Sequence, residues 1–359
     1  MIRLILKKTG YALLTLFGVA TVIFLLFSVL PGDPAQMMLG ENQSRDQIEQ
    51  VQKKYGFDKP THIQYLYYLN DLSLLSIHST KENHYTNINS GKYSGVTLLS
   101  LADFKLLLKL PYLRESFQQN GLSVAAVIGK TLPNTAILAI SAIAIALLIG
   151  IFLGIISAIY HNTFIDRAIQ ILSTLGMSVP SFFSAILFAW VFAFVLRDIT
   201  GLNMTGNLYE LDDFGEERRL ILKNLILPAV VLGIRPLAVV SQLMRNALLE
   251  QLAEDYVRTA RAKGLSEYKV IYKHALRNAL NPVITAISGW FASMLAGAVF
   301  VEYIYGWNGL GKEIVNALET LDLPIIMGAV LVIALMFILI NIFVDIIYTW
   351  LDPRVRYQS

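Results

Sequence analysis

Six stretches of this chain are long, apolar and almost free of charge: Tyr11–Leu30, Ala136–Tyr160, Ala168–Leu196, Leu225–Met244, Val283–Val301 and Ile325–Val344. A helix needs about 20 residues to cross a hydrocarbon core of about 30 Å, and each stretch meets or nearly meets that length. The 359 residues are 55% hydrophobic and only 15% charged, whereas soluble domains carry about a quarter charged residues. The expected fold is therefore an all-α polytopic membrane protein with six transmembrane helices.

The first stretch is too long for a signal-peptide core, and no small-residue cleavage site follows it. Pro31-Gly32-Asp33-Pro34 ends it as a helix instead. Lysine and arginine in the short loops set the orientation. Arg3, Lys7, Lys8, Arg167, Arg245, Arg258, Arg261, Lys263, Lys269, Lys273, Arg277, Arg354 and Arg356 all share one side of a six-span chain. That side reads as the cytoplasm, with both termini in it. The implied organisation is a tail and first span over 1–30, an external region over 31–122, a membrane-spanning core over 123–351 and a cytoplasmic tail over 352–359.

Within the external region, Asp46–Tyr55 reads as a polar helix and Ile63–Leu69 as an amphipathic, aromatic-rich segment suited to a membrane interface. From Ser73 to about Gln119 the pattern weakens, with a polar loop over Lys81–Ser94 and no sign of an enzyme domain. Small residues recur at every fourth position in the second span (Ala142, Ala146, Gly150, Gly154, Ala158) and in the fifth (Gly289, Ser293, Gly297). Such stripes let another helix approach, either within the chain or from a second subunit. Pro180, inside Ser178–Phe182 of the third span, removes a backbone donor and should kink or break the helix. Arg235, followed by Pro236, is the one charge inside a span. It needs a protein or water environment, either lining a polar pathway for an anionic group of the cargo or pairing with Glu302, Asp345 or helix carbonyls.

Catalytic chemistry finds no support. The five histidines are scattered with no second ligand at helical spacing, so no metal site is expected. There are no cysteines, which removes disulfides, thiolate sites and thiol nucleophiles. Paired carboxylates deep in the spans, needed for a proton pump or an intramembrane protease, are missing as well. Gly306–Lys312 fits Gly-x4-Gly-Lys, but Glu313 stands where a phosphate loop needs Ser or Thr, and no strand precedes it. No catalytic residue, cofactor or nucleic-acid contact is expected; membrane lipid is.

The long polar interruption between the fourth and fifth spans, residues 250–281, is the most structured loop in pattern. Leu249, Leu252, Tyr256 and Ala260 put an apolar stripe on one helical face. Glu254 and Arg258 form an i,i+4 pair, Gly264 ends the helix, and Ser266 can cap a second short helix. Glu254-Asp255-Tyr256-Val257-Arg258-Thr259-Ala260-Arg261-Ala262-Lys263-Gly264-Leu265, followed by His274–Ala279, resembles the cytoplasmic coupling motif of binding-protein-dependent ABC importers in the dipeptide, oligopeptide and nickel permease family. The likeness extends to Pro31–Ala35, Leu132–Thr135, Asp166-Arg167, Pro180–Phe182, Gly309–Gly311, Val344–Tyr348 and Asp352–Arg356. Two features depart from the family: added residues between about Ser73 and Leu110, and Arg235, which matches no motif.

That resemblance implies a permease subunit in a bacterial inner membrane, importing peptides or similar solutes by alternating access. It implies four partners of three kinds: a second, different permease chain, two ATP-binding subunits and an external solute-binding protein. Glu254, Arg258, Ala260, Gly264, Leu265 and Tyr268 are then the expected ATPase-docking residues, with Arg235 and Pro180 on the translocation pathway. The competing class is an ion-gradient-driven carrier or channel that uses the loop as a gate.

Overall fold

The computed structural model describes residues 2–29, 33–39, 44–81, 84–88, 91–119, 121–212 and 217–351. Pro31-Gly32 and the 352–359 tail, with its Asp352–Arg356 motif, lie outside the described residues. The molecule is mostly helical and divides into two compact units, one formed by residues 1–130 with 313–335 and the other by 131–312 with 336–359.

In the first unit, α1 (Ile2–Val29) is followed by α2 (Pro34–Leu39), α3 (Arg45–Tyr55) and α4 (Thr61–Leu72). The polar helix expected at Asp46–Tyr55 is α3. Ser44 and Gln47 form a reciprocal capping box at its start, and Gly56 at φ +73° ends it, satisfying amides that the first turn leaves unpaired. The aromatic segment at Ile63–Leu69 lies within α4. Its Tyr68 packs with Ala20, Ile23 and Phe24 of α1 and with Leu331.

Where the sequence pattern fades, the chain forms β1 (Leu75–Ser79), β2 (Gly95–Ser100) and β3 (Phe104–Lys109), an antiparallel sheet in the order β1-β3-β2. The expectation of an all-α fold is corrected here. β1 and the end of β3 alternate, but with polar residues inward beside Leu107, while β2 is exposed at every position. Ser76, His78 and Lys109 are buried, while Leu75, Ile77, Val96 and Leu108 are exposed, so a search for apolar residues facing inward passes over them. The polar face is held by buried Asp71, whose carboxylate accepts hydrogen bonds from Tyr85 Oη at 2.8 Å, Tyr93 Oη at 3.0 Å and Arg114 Nε at 3.0 Å. Lys109 Nζ donates to the Asp71 carbonyl, and His78 bonds Ser76 Oγ at 2.8 Å and the Thr86 carbonyl at 3.2 Å.

The remaining elements are α5 (Val124–Ile159), α6 (Phe164–Ser178), α7 (Ser181–Phe188) running into a π-helical turn at Ala189–Val195, α8 (Arg197–Thr200), β4 (Tyr209–Leu211), β5 (Arg218–Leu220), α9 (Lys223–Ala253), α10 (Asp255–Ala262), α11 (Glu267–Lys269), a second π-helical turn at Val270–Ala275, α12 (Leu276–Gly297), α13 (Val299–Tyr305), α14 (Leu310–Glu319) and α15 (Leu323–Leu351). β4 and β5 pair as an antiparallel hairpin. Among the described residues, four helices are long and apolar enough to cross a membrane: Lys8–Ser28 within α1, α5, α9, and Leu323–Val344 within α15. The count is five if α6 and the bent segment after it form one span. The sixth expected span, Val283–Val301, falls across α12 and α13, which are separated at Ala298.

In the second unit the small-residue stripe of α5 has a visible purpose. A Cβ on Gly150 would come within 2.8 Å of the Leu237 carbonyl, and one on Gly154 within 2.6 Å of Ser241 O and Met244 Cβ. Ala142, Ala146 and Ala158 are buried on the same helix. The stripe is the seat of α9, so the intrachain reading holds for it. Gly289 of α12 instead has open space around it.

Candidate functional site

The segment between α9 and α12 folds as an elbow on an apolar base. α9 runs unbroken through Pro228 and Pro236 and stops at Ala253. Glu254 is extended (φ −71°, ψ 149°) and starts α10 without a side-chain cap. The break shifts the helical phase, so Val257, fully buried, takes the inward position expected of Tyr256. Tyr256 lies outside, donating to Gln251 Oε1 at 2.7 Å and accepting from Asn278 Nδ2 at 3.1 Å. Val257 and Ala260 pack with Val270, Ile271, Ala275 and Ala279, and with Val240, Met244 and Leu248 of α9.

α10 ends as its sequence requires. Gly264 has φ +76°, its amide donates to Arg261 O at 2.9 Å, and the Leu265 amide reaches Ala260 O at 3.4 Å. These two bonds and the apolar Leu265–Ala260 pair make a Schellman stop, which needs a left-handed residue at the glycine position. Arg261 then bridges the turn to Glu267, with Nε–Oε1 at 2.8 Å and Nη2–Oε2 at 3.2 Å. Ser266 is extended ahead of α11, with no side-chain cap bond. The π-helical turn after α11 inserts an extra residue before α12, a feature that recurs at functional sites.

The expected docking residues therefore lie on one elbow in different settings. Glu254, Arg258, Gly264 and Tyr268 are exposed, Leu265 is half-buried, and Ala260 is buried in the base. Arg258 pairs with Asp255 at 3.4 Å rather than with Glu254, because Glu254 lies just outside the helix. Tyr268 and Tyr272 stand together with ring centroids 4.5 Å apart.

Beneath the elbow sits a polar clamp. Asp166, at the start of α6, is buried and receives Arg245 of α9 through Nε at 2.7 Å and Nη2 at 2.8 Å. Ser157 Oγ at the end of α5 donates at 2.6 Å and the Asn162 amide at 2.9 Å. The Arg245 guanidinium and these further donors hold the Asp166 carboxyl well below the usual carboxylate range. Sequence reading quoted Asp166 only as a motif position and Arg245 only as a loop charge. The signal linking them was a carboxylate beside a short turn, which needs a cation of its own.

α6 and α7 meet at 109°, and the break expected at Pro180 is there: Pro180 is extended (φ −60°, ψ 140°) and precedes α7. Gly176, in the last turn of α6, faces Ile234 and Ala238 of α9, the residue before Arg235 and one about a turn further on. Arg235 itself is exposed and makes no hydrogen bond or ion pair among the described residues. Of the partners considered for it, Glu302 is not one it reaches. Glu302 is fully buried, and its Oε2 accepts the amides of Gly311 at 2.7 Å and Lys312 at 3.2 Å. The chain's own carboxylate thus fills the N-terminus of α14, the place where Gly306–Glu313 would have to cradle a phosphate. A Cβ on Gly309 would collide with that carboxylate.

Residues 150–357 match the family described as "Binding-protein-dependent transport system inner membrane component", and residues 1–87 match its N-terminal companion. The chain is 33% identical to the di/tripeptide transport system permease protein DppB of Pseudomonas aeruginosa over 100% of both chains. It is 32% identical to the dipeptide transport system permease protein DppB of Alkalihalophilus pseudofirmus over 95% of this chain and 96% of that one. Among solved structures, a chain of the MetNI methionine ABC transporter in inward-facing conformations is similar with a TM-score of 0.48 and 16% identity, covering 63% of this chain and 96% of that one.

Proposed function

Because the chain belongs to the inner membrane components of binding-protein-dependent transport systems, we propose that it is the permease subunit of an ATP-driven peptide importer in a bacterial inner membrane. It carries out no reaction itself. It pairs with a second permease chain, is driven by two ATP-binding subunits and receives cargo from an external solute-binding protein. Relatives named for dipeptide and di/tripeptide transport support peptides as the cargo.

The observation that carries this reading is the elbow: a Schellman-stopped helix whose inner face is locked into the apolar base while Glu254, Arg258, Gly264 and Tyr268 are exposed. A part fixed in this way moves as a rigid body. Seated in an ATPase cleft, it transmits closure of the ATPase pair to α9 and α12 and switches access from one side to the other. Ala260 serves the elbow from inside, as packing, and Leu265 joins the two halves. In this reading Val283–Val301 completes six spans, both termini are cytoplasmic, and Arg235 and the bend at Pro180 line the pathway.

The test is reconstitution of the co-purified complex in proteoliposomes. Uptake should require ATP and the binding protein, and Gly264→Trp should abolish it while the variant still inserts and assembles its transmembrane part. Gradient-driven uptake by this chain alone, or full uptake by the Gly264 variant, overturns the proposal.

A further inference from the structure

The sheet of the first unit has the wrong face outward for a protein in water. Its register stacks Leu75, Leu108 and Val96 in one row and Ile77, Leu106 and Leu99 in the next, with no charge in either row. Leu75, Ile77, Val96, Leu99 and Leu108 are each 47–66% exposed. The opposite face holds the buried Ser76, His78 and Lys109. A contiguous apolar face of this kind marks a contact with something apolar.

Three observations say what that contact is. First, α4, which carries the sheet, is fastened to α1 well below its outer end. Tyr65 Oη is 2.6 Å from Thr21 Oγ1, and Thr21 lies eight residues before Val29, the end of α1, or about 12 Å along the axis. Second, the Asn70 side chain of α4 bonds both backbone groups of Ile77, at 2.8 and 3.0 Å. Leu66, one turn before Asn70 and 56% exposed, extends the apolar face from the sheet onto α4. Third, both rows are aliphatic, and the one ring on the same face of β3 is the apolar Phe104, 48% exposed. Protein interfaces draw their binding energy from Trp, Tyr and Arg, with Leu and Val under-represented; hydrocarbon makes no such demand.

We propose that this face lies on the outer leaflet of the membrane as a monotopic anchor, with phospholipid acyl chains as its occupant. The sheet sets its own depth. β2 pairs only with β3, so its outer edge has backbone groups that must stay at headgroup level, which limits entry to about 5–10 Å. The inference rests on α1 crossing the membrane, as the proposed function holds.

The chain has no cysteine, so single labels report cleanly. Leu99→Cys, Val96→Cys and Thr97→Cys, with Leu14→Cys on the exposed flank of α1 as a control, are labelled with an environment-sensitive fluorophore in proteoliposomes of the full complex. Labels at 96 and 99 should emit blue-shifted light and be quenched by doxyl-labelled phospholipid as strongly as the label at 14. The Thr97 label shares the sheet's inner face with Leu107 and should be quenched by aqueous iodide instead. Water-like emission at 96 and 99 with normal quenching at 14 overturns the anchor and leaves the transport reading intact. Shielding that appears only when the solute-binding protein is added overturns it too, in favour of a protein contact. Loss of lipid quenching at 14 sinks the membrane reading itself.

Discussion

The α10 elbow and the three-stranded sheet solve the same problem in opposite ways. α10 turns Val257 and Ala260 inward and leaves Arg258 and Arg261 outside, whereas the sheet turns Ser76, His78 and Lys109 inward beside Leu107 and leaves Leu75, Leu99 and Leu108 outside. The difference lies in what each element packs against. α10 meets Val270, Ile271 and Ala275, which offer nothing to a polar group. The strands bury polar groups that find partners there, Lys109 on the Asp71 carbonyl and His78 on Ser76 and the Thr86 carbonyl, and burial of polar atoms is tolerable only on that condition. Alternation along a segment thus fixes which residues share a face; the neighbour decides which face goes inside.

Both regions nevertheless hang on one buried aspartate facing an arginine, and breaking either pair gives the largest effect expected. Asp166→Asn strands Arg245, and Asp71→Asn strands Arg114; each should cost about 3–5 kcal/mol. All four tryptophans (Trp190, Trp290, Trp307, Trp350) belong to the unit that contains Asp166. Thermal unfolding read by tryptophan emission should shift sharply for Asp166→Asn. A label at Thr97→Cys should register the loss for Asp71→Asn. A shift of less than a degree in either reading would mean that the pair is not holding its region.

How far the sequence spoke for itself follows the same divide. Gly264, the Pro180 break and the α5 stripe were legible because each rests on local chemistry: a left-handed residue, a missing donor, a missing Cβ; α3 was legible as a polar helix, but its Ser44–Gln47 capping box was seen only in the structure. The phase shift at Glu254 was not, since the helical stripe through Leu249 and Leu252 continues smoothly to Tyr256 and only the packed base shows that Val257 has replaced it. Arg245 was read as one loop charge among many, because its partner lies 79 positions away. The sheet was missed because its alternation is inverted, and what it packs against comes from Asp71, Tyr85 and Arg114, scattered along the chain.

Acid should separate the two regions. Burial, and Lys109 nearby, push the His78 imidazole below its ordinary value of 6.5; His84 in the same unit shifts the same way, through burial and the nearby Lys59 and Lys81. Their folded values are depressed, so the unfolded chain takes up protons first, and the sheet loses stability as pH falls below about 6.5. Asp166 is depressed too, chiefly by Arg245. Its contribution is complete above the ordinary aspartate range and is lost only as pH falls below about 4. Unfolding followed at pH 7, 5.5 and 3.5 should therefore show the Thr97 label weakening at the middle value, while the tryptophan signal holds until the lowest. His78→Gln should flatten the first response. The opposite order would contradict the assignment.

Gly264 isolates backbone strain from contact. A Cβ there meets nothing within 4 Å, so Gly264→Val is penalised only by the left-handed φ, about 1–2 kcal/mol, and Gly264→Asn by less. If the elbow docks as proposed, uptake should fall far more than this modest destabilisation explains, and Asn should restore part of it. Uptake that merely tracks the loss of stability would reduce the glycine to a structural role.

The smallest effect sharpens the comparison most, because it asks whether surface charge contributes to the elbow's rigidity at all. Arg261 and Glu267 bridge the glycine turn in good two-point geometry, but their side chains are 41% and 63% exposed. Solvent and salt screen such a pair, leaving about 0.2–1 kcal/mol. The Schellman bonds and the burial of Val257 and Ala260 do not depend on it. A double-mutant cycle of Arg261→Ala and Glu267→Ala, read by tryptophan-monitored unfolding, should give a coupling within that range that shrinks in high salt. A coupling of several kcal/mol would mean that the turn is held from outside. The elbow would then be built like the sheet, whose shape depends on its polar network.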